Sequence, residues 1–95
     1  MAVTLTRRHV LLYDYVEDVV ARREPHRPAH LELLAEFKAD GRILDGGAVG
    51  DPPHGALIVF ASDSPADAES FASRDPYVAN GIVTRWRVEP WNVVR

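Results

Sequence analysis

Ile82-Val83-Thr84-Arg85-Trp86-Arg87-Val88-Glu89 is the stretch on which the architecture turns. Its residues alternate: Ile82, Thr84, Trp86 and Val88 fall on one side of an extended chain, and Val83, Arg85, Arg87 and Glu89 on the other. A strand of this two-faced kind belongs to an antiparallel sheet, with helices against one side and the other side solvated or lining something polar.

Upstream of it, Asp75-Pro76-Tyr77 reads as a turn or the start of a short helix. Before that, Asp63 or Ser64 is placed to cap a helix with Pro65 in its first position and Asp67 completing a capping-box pattern, which carries the helix to about Ser73. Ala56 to Ala61 is a continuous apolar run of strand length. The Gly46, Gly47, Gly50 and Asp51-Pro52-Pro53 cluster reads as a turn-rich loop that ends a short strand at Arg42–Leu44. Pro28 suits the first turn of a helix over Ala29–Asp40 that Gly41 stops, with Leu31, Leu34, Ala35 and Phe37 on its apolar face. Val16 to Pro25 has no clean period and reads as a loop or a short helical turn, and Arg8 to Tyr15, rich in Val, Leu and Tyr, reads as the first strand. The order is β-α-β-β-α-β, an α+β split βαβ unit whose antiparallel sheet carries its helices on one face.

At 95 residues the chain is expected to make one domain over 1–95 with a small core, a reason to expect a homodimer. With 46% hydrophobic and 26% charged residues it is ordinary globular material. A formal net charge of −3 argues against a nucleic-acid partner, whose binding draws on clustered Lys and Arg. The absence of cysteine removes thiolate nucleophiles and cysteine-held metals and fits the cytoplasm. Asp14, Glu17 and Asp18 interrupt the apolar residues near the N-terminus, so neither a signal nor a membrane span is expected there.

The chemistry-bearing candidates are few. His30 lies in the first turn of the first long helix, and the positive end of the helix dipole favours its neutral imidazole, the form that accepts a proton. Capping or packing at a helix start is the plainer reading and the one that composition and spacing favour. Asp75 reads as a turn or cap residue; in a functional reading its carboxylate would hold one imidazole nitrogen and fix the tautomer. His26 and His30 stand four apart, but Pro28 places His26 before the helix and no acidic residue completes a metal motif, so no metal is expected. Gly46-Gly47-Ala48-Val49-Gly50 lacks the lysine of a phosphate loop. Arg85 and Arg87 share one strand face, where they could meet an anion or simply face water. Trp86, Trp91 and Phe60 read as core or subunit contact.

Four short motifs in order resemble the YciI-related proteins: Arg27-Pro28-Ala29-His30-Leu31, Asp40-Gly41-Arg42-Ile43-Leu44 leading to Gly46-Gly47, Asp75-Pro76-Tyr77-Val78-Ala79-Asn80-Gly81, and Pro90-Trp91. The resemblance implies a ferredoxin-like fold that dimerises with sheets face to face into an α+β barrel like that of muconolactone isomerase. It also implies a His–Asp pair at a cleft, carried by His30 and Asp75, and a reaction class related to the dehydrochlorination of a chlorinated hydroxyquinol. Arg27 and Tyr77 are the expected substrate-binding residues, and no cofactor is required. Where relatives carry a serine or threonine after the glycine that opens the third strand, this chain has Gly55-Ala56 and lacks that hydroxyl. The alternative is a non-catalytic metabolite-binding or accessory protein on the same barrel.

Overall fold

The computed structural model describes residues 3–95. Strand β1 (Leu5–Tyr15) leads through a short helix α1 (Val19–Arg22) and a 3-10 turn (Glu24–His26) into helix α2 (Arg27–Ala39). Strands β2 (Ile43–Val49) and β3 (Gly55–Phe60), helices α3 (Ala66–Arg74) and α4 (Pro76–Ala79) and strand β4 (Val83–Val94) complete it. The four strands form one sheet in the order β2-β3-β1-β4, every neighbouring pair antiparallel. This is the ferredoxin-like α+β arrangement that the β-α-β-β-α-β order and the family resemblance lead one to expect.

Strand alternation selects the packed face. Leu11 pairs with Ile58 and Val88, and Tyr13 with Ala56 and Trp86, so these side chains share the side on which the helices lie. Phe37 from α2 and Phe71 from α3 meet edge to face at 5.3 Å above them, and Phe60 closes the cluster. On α2 the buried residues are His30, Leu33 and Phe37, with Leu34 half-buried, a stripe at three- and four-residue spacing. The face expected from Leu31, Leu34, Ala35 and Phe37 is therefore rotated: Leu31 and Ala35 are exposed, and His30 takes a place in the buried row.

Three further expectations need correction. Gly46 and Gly47 lie inside β2, and only Gly50 to Pro53 turn the chain, because the ladder of β2 with β3 persists from Asp45↔Val59 to Val49↔Gly55 and outweighs the weak strand preference of glycine. Gly46 faces α2, where a Cβ would stand 3.3 Å from the Leu34 side chain, so its lack of one lets the helix approach the sheet. Helix α3 starts one residue late, with Pro65 before its first turn; the Ser64 hydroxyl accepts the Ala66 N–H at 3.2 Å, and Asp67 makes no cap. Strand β4 runs five residues past Glu89 and steps out of register between Asp14↔Arg85 and Tyr15↔Val83. At that bulge Val83 is buried and Thr84 exposed, so the predicted faces hold for Trp86 and Val88 but not for Thr84. Pro90 is tolerated because β4 is an edge strand with one unpaired side.

Candidate active site

Site geometry starts from the motif Asp75-Pro76-Tyr77. Asp75 is extended (ψ 119) and caps α4, its Oδ1 accepting the Tyr77 N–H at 3.0 Å, with Pro76 in the first helical position. That local turn swings the Tyr77 ring over α2, where it stacks on the His30 imidazole with centroids 3.8 Å apart and planes within 4°. The same Oδ1 accepts the His30 Nδ1–H at 2.9 Å, and Oδ2 accepts the Tyr13 hydroxyl at 2.7 Å. Capping and pairing, weighed as alternatives from the sequence, are one arrangement.

Asp75 is 0% exposed. A buried carboxylate is tolerable only when its oxygens are matched by donors, and three elements supply them: β1 through Tyr13, α2 through His30 and α4 through its own backbone. Burial, and then the neighbouring Asp75 charge, push the Tyr13 hydroxyl far above the ordinary tyrosine range, so it stays a neutral donor. With Nδ1 donating to the carboxylate, Nε2 is left as the acceptor nitrogen of His30; it makes no hydrogen bond to the described residues and is not sealed from solvent.

His30 lines a cleft of about 290 Å³ between α2, the β2–β3 hairpin and the segment before α2. Arg27 and Tyr77 line it too, so the structure brings the expected binding residues beside His30, while Asp75 stands behind the histidine and does not touch the cleft. The Ala56 methyl forms part of the floor where a hydroxyl was expected to be missing. Tyr15 and Arg23 also line it. The Tyr15 hydroxyl is pushed up to about 12, chiefly by burial, with Tyr77 and Asp75 adding and Arg23 and Arg27 opposing.

Sequence reasoning missed Tyr13, Tyr15 and Arg23. The first was within reach, since His9, Leu11 and Tyr13 follow the period of a strand face. Arg23 sits in an aperiodic connection and gave no signal. His26 ends the 3-10 turn outside α2, and no group of three or more His, Cys, Asp or Glu side chains is gathered for a metal among the described residues. Arg85 and Arg87 point to the opposite face of the sheet, in register with Asp14 and Leu12. Phe60 is core, whereas Trp86 and Trp91 are exposed. No helix among the described residues is long and apolar enough to cross a membrane.

Fold and site together define a small ferredoxin-like α+β protein with a buried histidine–carboxylate pair beside an open cleft. The chain belongs to the YCII-related domain family, whose model matches residues 8–92. It is 31% identical over 86 residues to Protein YciI of Escherichia coli O6:H1 and of Shigella flexneri, spanning 81% of this chain and 88% of each relative. Among solved structures it is similar to the 5-chloro-2-hydroxyhydroquinone dehydrochlorinase of Burkholderia phenoliruptrix, in complex with 2,5-dihydroxybenzoquinone (TM-score 0.71, 23% identity, 88% of this chain and 92% of that one). It also resembles a dimeric ferredoxin-like protein from an uncultured marine organism (TM-score 0.53, 15% identity, 97% and 90% coverage).

Proposed function

We propose that this protein is a small-molecule enzyme of general acid–base chemistry, of lyase, dehydrochlorinase or isomerase type, acting on a small cyclic or enolisable substrate in the cleft. The observation that carries the reading is the orientation of His30, whose Nδ1–H is held at 2.9 Å by a fully buried carboxylate while the side chain lines the cleft and Nε2 makes no hydrogen bond to the described residues. Nε2 takes a proton from the substrate; Asp75 stabilises the imidazolium that forms and fixes the ring, and the Tyr13 hydroxyl holds the second carboxylate oxygen. Arg27 and Tyr77 bind the substrate.

In a dehydrochlorination the proton removed by His30 and the chloride that departs leave a new double bond in the substrate, so the step balances without an external oxidant or reductant and calls for no cofactor. The solved relative named for this reaction supports the class. In the same reading the protein is a cytoplasmic homodimer whose second copy covers the helix-free face of the sheet, where Leu57 and Trp91 are exposed.

The test is a screen of lactones and halogenated phenols, 5-chloro-2-hydroxyhydroquinone among them, followed by product spectra and chloride release. His30→Ala is expected to lower turnover by about 10²–10⁴-fold with the circular dichroism unchanged. Equal turnover by the folded variant would sink the assignment.

A further inference from the structure

The cleft is chemically lopsided. Arg23, Arg27 and the rings of Tyr15 and Tyr77 line it, and no carboxylate does. Arg42 is paired with Asp40, Arg74 with Glu36 and Arg87 with Glu89. Among the described residues Arg23 and Arg27 form no ion pair. Other arginines such as Arg22 and Arg85 also lie unpaired among the described residues, so it is the shared cleft and not the missing ion pair that sets Arg23 and Arg27 apart.

Two atoms sharpen the imbalance. The Arg23 Nε–H and the Tyr77 hydroxyl are both buried without a hydrogen-bond partner. Buried donors are nearly always matched, and leaving one unmatched is costly. Both belong to side chains that line this one concavity. The two arginines stand four positions apart around the 3-10 turn and line the same cleft, whose lining includes no carboxylate. The remaining wall, from Leu31, Leu34, Ala56 and Ile58, is apolar.

We infer that Arg23 and Arg27, with the Tyr15 and Tyr77 hydroxyls, form a carboxylate subsite, and that the substrate is a small acid: an apolar ring or short chain against Leu34 and Ile58 whose carboxylate lies between the guanidiniums. A guanidinium presents paired donors that match a carboxylate. The cleft of about 290 Å³ stands at the small end of ligand pockets, which suits a one-ring acid. Arg23 is thereby a specificity-determining residue. The inference rests on the acid–base reading of His30, since the subsite would hold the substrate for that base.

The experiment uses benzoate and its neutral counterpart benzamide as probes, titrated into the isotope-labelled full chain and followed by chemical shift at Tyr77, Ala48 and His30. Benzoate is expected to bind saturably and about ten- to a hundredfold more tightly than benzamide, the discrimination of a charge-assisted contact. Arg23→Met should remove that preference while leaving benzamide binding and the fold unchanged, and Arg23→Lys should restore part of it. Equal affinity for the two probes, no saturable benzoate binding at the cleft, or a full preference retained in Arg23→Met would each overturn the subsite. His30→Ala separates the two readings. Lost turnover with the preference intact upholds both; lost turnover with no preference in the parent chain overturns the subsite alone, and retained turnover with the preference intact overturns the acid–base reading alone.

Discussion

The two faces of the sheet are built by the same four strands and meet opposite fates. On one face Leu11, Ile58 and Phe60 are sealed under α2 and α3, and Tyr13 reaches through them to Asp75. On the other, one residue along each strand, Val10, Leu12, Leu57 and Val59 form an apolar patch that no helix among the described residues covers; Leu57 remains 38% and Trp91 45% exposed. The Asp75 carboxylate is enclosed on the side where the chain supplies its partners, and apolar surface is left bare on the other. Contiguous exposed apolar patches commonly mark interaction surfaces, which is why a second copy is proposed there.

The contrast is broken most forcefully from the covered side. Phe60→Ala removes a ring in contact with Phe37 and Phe71 and should destabilise the fold by about 3–5 kcal/mol in denaturant unfolding. On the bare side, Leu57→Asp should leave the monomer's own stability within about 0.5 kcal/mol. It should instead raise the dimer dissociation constant by at least about tenfold, read by light scattering across concentration. A variant that keeps its partner at every concentration would show that this face is not where the copies meet.

The smallest expected effect is alkaline. Tyr15 has a folded pKa raised from 10.0 to about 12 and Tyr13 is raised further, so above about pH 10 the unfolded chain loses protons that the folded chain keeps. Their contribution to stability is thus fully present below pH 10 and is lost progressively as pH rises through about 12. Ultraviolet titration of the native protein should show these two phenols ionising late, together with unfolding. Ordinary phenol titration with the fold intact would show the covered face to be wetter than its geometry implies.

Legibility differed in the same way between elements and contacts. Pro28 and Gly41, Asp75-Pro76 and the alternation through Arg85, Trp86, Arg87 and Val88 announce the helix ends, the turn and the strand, because each acts on its own neighbours. His30 and Asp75 were singled out by residue type and family resemblance, but neither spacing nor composition could say that they touch. Gly46-Gly47 misled, because intrinsic preference is weak beside a ladder formed with a strand ten residues away. Tyr13 and Arg23 stayed hidden for a related reason: their importance lies in what faces them, Asp75 for one and an unfilled cleft for the other.

Order and kind of elements, the break points at proline and glycine, the lack of thiol chemistry and the kinship with YciI proteins were all determined by the amino-acid sequence, since each depends on local sterics, patterning or composition. Three-dimensional packing alone decided that β1, α2 and α4 would deliver a phenol, an imidazole and a backbone N–H to one buried carboxylate. It alone also left two arginines facing a cleft without an acid. A hydrogen bond between positions 30 and 75 exists only once the helices are laid on the sheet at a set distance and rotation, and that is fixed by how the whole core fills space.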